Sequence, residues 1–328
     1  MTAREKGGEM STATVENNGL DSAGGKQSAA HVENIVIVGS GPAGLTAGIY
    51  AARAGYAPLV IEGMLSGGQL TETAEVENFP GFAESVSGLD LMMSMHKQAE
   101  KAGVRFVMDA ITSVDFSGPP HRLYGMSGKY EAKCVIIATG ATPRWTGLPG
   151  EDTYKYHGIS SCAVCDGNFH RGKDVAVIGG GDTALADAIH LAKICASVTL
   201  IHRRDAFRGT KVLVDRVLAA PNVRTLMDTE VLSFEGDGKK LAALRLSNGE
   251  TLPVSGAFVA IGHDPQTGFL KGALDLDDAG YVRTDGVDTG VDGVFAAGDC
   301  ANPLHKQAVV AASAGAQAAQ AAQLRLER

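Results

Sequence analysis

The chain contains 328 residues, of which 45% are hydrophobic, 20% are charged and 5% are aromatic, a composition typical of a globular protein with room for two domains. Its 29 Lys and Arg residues against 37 Asp and Glu residues give a net charge of -8, which excludes a general attraction to nucleic acid or to an anionic membrane surface. The longest apolar runs have the length of strands, well short of the roughly 20 residues of a membrane span, so we expect a soluble protein. Its five cysteines do not form an even secretory framework, which favours the cytoplasm.

Residues 1–31 are rich in Gly, Ser, Thr, Ala, Asn and Glu and show no hydrophobic period. Such a segment buries too little apolar surface to offset the entropy that is lost on ordering. We therefore predict a disordered tail. The acidic residues in it argue against an organellar transit peptide.

The segment that follows has the pattern of a nucleotide-binding unit. An apolar run from Ile35 to Val38 predicts a buried parallel strand, which leads into a glycine-rich turn at 39–44 and a helix at 45–54. A second strand, at 58–61, ends on Glu62, and an acid at this place can bond the hydroxyls of a ribose.

A helix is predicted from Ser87 to Ala102, and its three methionines are interpreted as core residues. The residues expected on its buried face are Leu89, Met92, Met93, His96 and Ala99. Further strands are predicted at 111–116, 122–126 and 130–138.

The same order of elements then begins again, which indicates an internal duplication. A strand at 175–178 leads into a second glycine-rich turn at 179–184 and a helix to about residue 193. Further strands are predicted at 197–201, 231–234, 241–246 and 257–261, and a last strand at 293–297 precedes an alanine-rich helix from about residue 307. Because this last segment lacks a nucleotide turn of its own, we assign it to the first unit, which makes the second unit an insertion.

The two glycine-rich turns predict two different nucleotides. Each turn allows the backbone to approach a pyrophosphate at a helix N-terminus. Where the first unit has Glu62, the second has Ile201-His202-Arg203-Arg204, and Arg208 follows. Guanidinium groups pair with a 2′-phosphate, whereas a carboxylate repels it, so the second site is predicted to prefer NADPH. The alternative is that the basic run is simply solvated.

The five cysteines do not form an even secretory framework, but Cys162 and Cys165 have the C-x-x-C spacing of a reversible disulfide. Ser160 or Ser161 is expected to cap a helix that begins at this pair. Half of a zinc site is the alternative, although the sequence has no second C-x-x-C. Asp166 is interpreted either as an acid that protonates a leaving thiolate or the reduced flavin, or as a solvated turn residue.

Taken in order, these motifs resemble those of the low-molecular-weight, bacterial-type thioredoxin reductases, over nearly everything after residue 33. The most specific stretches are Gly39-Ser40-Gly41-Pro42-Ala43-Gly44, Gly67-Gly68-Gln69-Leu70, Glu77-Asn78-Phe79-Pro80-Gly81, Ala138-Thr139-Gly140-Ala141, Cys162-Ala163-Val164-Cys165-Asp166-Gly167, Gly179-Gly180-Gly181-Asp182-Thr183-Ala184, His202-Arg203-Arg204 with Phe207-Arg208, and Gly298-Asp299 with Gln307-Ala308.

The resemblance implies an α/β fold of the two-domain flavoprotein type, in which the second of two Rossmann-like dinucleotide-binding domains is inserted into the first. The FAD-binding domain would comprise residues 32–142 and 266–328, and the NADPH-binding domain, with the redox pair, residues 143–265. The implied activity is NADPH-dependent reduction of the thioredoxin disulfide by a homodimer. Cys165 would face the flavin and Cys162 would attack thioredoxin.

The resemblance also implies the cofactor-binding residues. For FAD they are Gly39, Ser40, Gly41, Pro42, Ala43, Gly44, Glu62, Gly67, Gly68, Gln69, Leu70, Asn78, Thr139, Gly140, Asp299, Lys306, Gln307 and Ala308. For NADPH they are Gly179, Gly181, Asp182, Thr183, Ala184, His202, Arg203, Arg204, Arg208, Ile261 and Gly262. The chain departs from the family in having Lys306 where Arg is usual and Asp182 where Asn is frequent.

Both the nicotinamide and the redox pair must reach the flavin, yet both belong to the inserted unit. We therefore predict that this unit rotates on two hinge strands near Thr142-Pro143 and His263-Asp264-Pro265. The alternative is that the prolines in these segments merely end the strands. Rival interpretations are a related flavoprotein acting on another disulfide, either a small-molecule dithiol oxidase or a ferredoxin-fed reductase, and a nucleotide-binding sensor without redox activity.

Overall fold

The computed structural model describes residues 31–328, so the tail predicted at 1–31 lies outside the described residues except for His31. The strands are β1 (Val32–Val38), β2 (Leu59–Ile61), β3 (Arg105–Val107), β4 (Ile111–Asp115), β5 (His121–Gly125), β6 (Lys129–Ile137), β7 (Ala141–Pro143), β8 (Ile159–Ser160), β9 (Asp174–Ile178), β10 (Ser197–Ile201), β11 (Val223–Leu226), β12 (Val231–Gly236), β13 (Leu241–Leu246), β14 (Thr251–Pro253), β15 (Gly256–Val259), β16 (His263–Pro265) and β17 (Val294–Ala296). The helices are α1 (Pro42–Arg53), α2 (Gly88–Ala102), α3 (Glu151–Tyr154), α4 (Ala163–Asp166), α5 (Asp182–Leu191), α6 (Lys211–Ala219) and α7 (Ala308–Leu326), with 3-10 turns at Gln69–Glu72, Gly167–His170 and Gly268–Leu270.

The first sheet has the strand order β3-β2-β1-β6-β5-β4, and β17 also pairs with β6. Strands β3, β2, β1, β6 and β17 run parallel to one another, whereas β5 pairs antiparallel with both of its neighbours, β6 and β4. The apolar run 35–38 is buried because the sheet is covered on both faces, on one of them by α1, α2 and α7. The last strand therefore joins the first sheet, as its lack of a nucleotide turn indicated.

The second sheet is parallel, with the order β11-β10-β9-β15-β8, and an antiparallel meander of β12, β13 and β14 accompanies it. Strands β7 and β16 form a separate antiparallel pair, in which His263 lies opposite Pro143 and Pro265 opposite Ala141. The two segments predicted as hinges are therefore neighbours. The predicted limits of the two domains stay a prediction.

Helix α2 corrects the prediction of its buried face. Ser87 caps the helix by accepting a hydrogen bond from the Asp90 amide at 3.0 Å. Leu89 and Met93 were expected in the core, but they are 51% and 47% exposed. The residues that do face the core are Leu91, Met92, Met95 and Ala99. The predicted face shares two residues with the true face, but it is rotated by about one residue around the helix.

Among residues 31–328, no helix has the length and apolar character that crossing a bilayer would require.

Candidate active site

The first glycine-rich turn joins β1 to α1 and leaves space at its middle glycine. A Cβ atom on Gly39 would lie 2.3 Å from the carbonyl oxygen of Ala138, and one on Gly44 would lie 1.9 Å from the carbonyl oxygen of Gly39. Around Gly41, in contrast, a Cβ atom would meet nothing within 4 Å. The outer glycines therefore allow close packing, whereas the middle one leaves room for a ligand such as a pyrophosphate.

Glu62, the predicted ribose-binding acid, lies just after β2 and is held by several groups. Its carboxylate pairs with Nε2 of His96 at 3.2 Å and accepts a hydrogen bond from Ser66. Its backbone carbonyl accepts a bond from the hydroxyl of Ser40, and that hydroxyl accepts one from the amide of Gly67. The predicted residues 40, 62 and 67 are thus brought together beside the turn.

The other predicted FAD residues lie near the carboxyl ends of the same strands or at the start of α7. Gly67 and Gly68 have φ values of 84° and 66°, which favour glycine, and they lead into the turn at 69–72 that contains Gln69 and Leu70. Thr139 and Gly140 follow β6, and Ala308 is the first residue of α7. Pro42 and Ala43 begin α1.

The redox pair Cys162–Cys165 forms a disulfide at the start of the short helix α4. The cap of this helix corrects the prediction, because it is Cys162 itself and neither Ser160 nor Ser161. The sulfur of Cys162 accepts a hydrogen bond from the Cys165 amide at 3.2 Å, and the Ser160 hydroxyl accepts one from the Cys162 amide at 3.0 Å. A thiolate at Cys162 would therefore be stabilised by a backbone N–H.

Gln307 connects the redox pair to the predicted FAD site. Its Nε2 lies 3.7 Å from Sγ of Cys162 and 3.8 Å from Sγ of Cys165, and its Oε1 accepts a bond from Asn78 at 3.0 Å. The disulfide thus lies beside Gln307, which is bonded in turn to Asn78, and both of these residues are predicted for FAD. Residues far apart in the sequence meet here at one site.

Two carboxyl groups of the predicted site, those of Asp166 and Asp299, have raised pKa values. Burial raises the pKa of Asp166, and a hydrogen bond from Ser160 partly opposes this effect. Burial also raises the pKa of Asp299 to about 6, although the charge of Lys306 acts in the opposite direction. The ammonium group of Lys306 lies 5.2 Å from the ring centre of Tyr281. Both acids can therefore donate a proton at a pH at which an exposed aspartate could not.

The second glycine-rich turn joins β9 to α5 and repeats the geometry of the first. A Cβ atom on Gly179 would lie 2.3 Å from the carbonyl oxygen of Ala260, whereas one on Gly181 would meet nothing within 4 Å. The ring of His202 packs against Gly180, where a Cβ atom would lie 2.3 Å from it, and stacks on Phe207. This turn therefore offers a second open place for a phosphate.

A cavity of about 610 Å³ lies in front of this second turn. The predicted NADPH residues that line it are Gly179, Gly181, Asp182, Thr183, His202, Arg203, Arg208, Ile261 and Gly262. Ala184 and Arg204 were predicted with them but do not belong to the lining. Ala184 is fully buried and allows the close approach of α5 to Gly179. Of the three arginines predicted for this site, Arg203 and Arg208 therefore line the cavity.

Sequence reasoning missed several residues of this cavity. Arg144 and Trp145 follow β7, the strand predicted as a hinge, and Glu230 precedes β12, yet all three line the cavity. Arg144 also binds Asp264 of β16 through its Nε at 2.8 Å. The pairing of β7 with β16 brings residues 144 and 145 to the cavity, and neither has a local motif that would predict this.

The residues present fit two dinucleotides. Each glycine-rich turn is closed at its first glycine and open at its middle one, so each can receive a pyrophosphate. Glu62 at the first site suits the ribose hydroxyls of FAD, and the arginines at the second suit a 2′-phosphate. Within the described part of the chain, Nε2 of His202 is buried without a hydrogen-bond partner, which leaves a polar atom for a ligand in the second cavity.

The family pattern of pyridine nucleotide-disulphide oxidoreductases matches residues 33–315. The chain belongs to this family. A thioredoxin reductase from Streptomyces coelicolor is 46% identical over 297 residues, which cover 88% of this chain and 92% of the relative. A protein named glucosaminate ammonia-lyase from Pseudomonas fluorescens is 44% identical over 297 residues, which cover 87% of this chain and 93% of the relative.

Two solved structures of thioredoxin reductases differ in how well this chain superposes on them. The enzyme from Giardia duodenalis is 40% identical and has a TM-score of 0.86, with 90% of this chain and 99% of that chain covered. The enzyme from Lactococcus lactis in its FR conformation is 36% identical over a similar share, 90% and 99%, but its TM-score is 0.61. At nearly the same sequence identity, this chain therefore superposes much better on the Giardia duodenalis structure than on the Lactococcus lactis structure.

These matches confirm the predicted resemblance to thioredoxin reductases, the two-domain α/β fold and the enzyme class of NADPH-dependent flavoprotein disulfide oxidoreductases. Members of the thioredoxin reductase family use FAD and NADPH, so the predicted cofactors are confirmed.

Proposed function

We propose that the protein reduces the disulfide of thioredoxin with electrons from NADPH. The observation that supports this most strongly is the Cys162–Cys165 disulfide beside Gln307 and Asn78, at the edge of the predicted FAD site. When bound, FAD would supply the two-electron chemistry between NADPH and this disulfide. We further propose that the enzyme acts in the cytoplasm as a homodimer.

The chain's own residues account for the exchange with thioredoxin. Once the pair is reduced, the Cys162 thiolate attacks one sulfur of the thioredoxin disulfide, and the other thioredoxin sulfur leaves as a thiolate that takes up a proton. Cys165 then attacks Cys162, which restores the Cys162–Cys165 disulfide and releases the second thioredoxin thiolate. The two protons that thioredoxin takes up are those that Cys162 and Cys165 give up. Asp166 lies next to the pair with a raised pKa, so it can pass them on.

The Cys162–Cys165 pair argues against the other activities considered. Elimination of ammonia from an amino-sugar acid is not a redox reaction and has no use for a reversible disulfide. A nucleotide-binding sensor has no use for it either. A dithiol oxidase or a ferredoxin-fed reductase would not need the basic lining that Arg203 and Arg208 give to the second cavity.

The test is NADPH oxidation by the purified flavoprotein with thioredoxin disulfide as the acceptor. We expect Cys162→Ser and Cys165→Ser each to abolish thioredoxin reduction, whereas Cys195→Ser, at a buried cysteine outside the site, keeps most of it. Substantial thioredoxin reduction by either active-site variant would contradict the proposal. Ammonia release from glucosaminate without thioredoxin reduction would favour the lyase activity instead.

A further inference from the structure

Tyr156 has an unusual backbone conformation for an aromatic residue. Its φ is 60°, and among the non-glycine residues of 31–328 only Asp228 shares a positive value. The left-handed region is disfavoured for a side chain of this size. Such a conformation persists only where the surrounding structure requires it, and it is common at functional sites.

The side chain of Tyr156 makes a contact that joins the two predicted domains. Its hydroxyl donates a hydrogen bond to Oε2 of Glu72 at 3.0 Å. Tyr156 lies in the segment between α3 and β8, whereas Glu72 ends the 3-10 turn at 69–72 beside the predicted FAD site. The ring of Tyr156 also packs edge-on against Trp145 at 6.3 Å, which fixes the direction of the hydroxyl.

Few other side-chain hydrogen bonds join the predicted domains. Apart from two short-range bonds at the predicted boundary, from Gln266 to Asp264 and from Thr267 to Pro265, the others within residues 32–328 are the contacts of Gln307 with the sulfurs of Cys162 and Cys165, at 3.7 and 3.8 Å. Sulfur is a weak acceptor, whereas the carboxylate of Glu72 is a strong one. Burial and the neighbouring charge of Glu72 raise the pKa of Tyr156, so its hydroxyl remains a donor at neutral pH.

We infer that the bond from Tyr156 to Glu72 is a catch that holds the redox disulfide beside Gln307, which makes Tyr156 and Glu72 positioning residues. This inference rests on the proposed function, because thioredoxin must reach Cys162 and the disulfide must therefore leave its half-buried place beside Gln307 during each cycle. A bond that forms only in the disulfide-facing arrangement shifts the equilibrium toward that arrangement. The left-handed backbone conformation at Tyr156 then serves to place its hydroxyl within hydrogen-bond distance of Glu72.

The catch can be tested by the accessibility of the disulfide. The oxidised, FAD-loaded enzyme is treated with a water-soluble phosphine, which takes up oxygen from water as the disulfide is reduced, and the new thiols of Cys162 and Cys165 are labelled and quantified by mass spectrometry. We expect Tyr156→Phe, which removes the donor, to raise the rate of disulfide reduction about 5- to 10-fold, as for the loss of one solvent-exposed hydrogen bond. Glu72→Gln keeps a neutral and weaker acceptor, so it should raise the rate about two- to fivefold. The double variant should be no faster than Tyr156→Phe.

Matched variants distinguish the loss of the catch from a general destabilisation of the fold. Tyr124→Phe and Glu75→Gln replace exposed residues of the same types and should leave the rate within about twofold. Labelling of the buried Cys195 in the same samples reports global opening and should not change.

Unchanged rates in Tyr156→Phe and Glu72→Gln, additive effects in the double variant, or Cys195 labelling that rises in parallel would each overturn the inference. The experiment uses neither NADPH nor thioredoxin. Its outcome is therefore distinguishable from a failure of the proposed function, which the thioredoxin assay reports.

Discussion

The preference for NADPH over NADH should depend on Arg203 and Arg208. Both line the cavity in front of the second glycine-rich turn, at the strand end where a 2′-phosphate would lie. A charge-assisted hydrogen bond contributes about 1.5–3 kcal/mol, and the exposure of both side chains places each at or below the low end of that range. Since 1.4 kcal/mol corresponds to tenfold, each arginine should contribute about tenfold to the preference.

The assay compares kcat/KM for NADPH and for NADH in the wild type, Arg203→Ala, Arg208→Ala and the double variant. We expect each single variant to lose about tenfold with NADPH and less than about twofold with NADH, and the double variant to lose more. Arg204→Ala should have a smaller effect, because Arg204 does not belong to the lining. Arg216→Ala, on α6, serves as the charge-matched control.

An equal loss with the two coenzymes in Arg203→Ala and Arg208→Ala would refute the assignment of these residues to the 2′-phosphate. The basic run would then be a solvated surface, and the coenzyme preference would have another origin.

Asp166→Asn should slow thioredoxin reduction by about 10- to 100-fold, because the proton donor is lost. The wild-type rate should fall as the pH rises through the raised pKa of Asp166, and the variant should not show this fall. A variant with the wild-type rate and pH profile in stopped-flow measurements would contradict this role. Because the folded state holds that proton more tightly than the unfolded chain, wild-type stability is lost as the pH rises through the same range, so Asp166→Asn should also melt at a higher temperature at neutral pH. Met92→Ala should lower the free energy of unfolding by about 2–5 kcal/mol and Met93→Ala by less than about 0.5 kcal/mol in urea titrations, and similar losses would contradict the packing of α2. An engineered disulfide that stops the inserted unit from rotating on β7 and β16 should block turnover. It should spare one half-reaction, either flavin reduction by NADPH or flavin oxidation by the cysteine pair, whereas normal turnover would show that no rotation is needed.

The strands and the glycine-rich turns could be predicted from the sequence because their signals are local. Runs such as 35–38 and 175–178 are buried on both sides, so they are apolar throughout, and each leads into a turn whose glycines are required by close backbone contacts. Helix α2 was less predictable, since apolar residues surround much of it and only packing shows that residues 91 and 95 face the core.

The parts of the site that depend on tertiary contacts could not be predicted. Arg144 and Trp145 reach the second cavity only through the pairing of β7 with β16. The meeting of Gln307 with the disulfide joins residues more than 140 positions apart, and no local pattern indicates it. The helix cap at Cys162 was assigned to a neighbouring serine because serine is the more usual cap, whereas here the sulfur accepts the bond.

The central claim is that electrons pass from NADPH to the Cys162–Cys165 disulfide before they reach thioredoxin. Anaerobic titration of the purified flavoprotein with NADPH tests it directly, because each NADPH delivers two electrons and the flavin and the disulfide can each accept two. We predict that the wild type consumes two equivalents of NADPH per FAD and gains two thiols, whereas Cys165→Ser consumes one. A wild type that consumes only one equivalent, with Cys162 and Cys165 still joined, would contradict the claim.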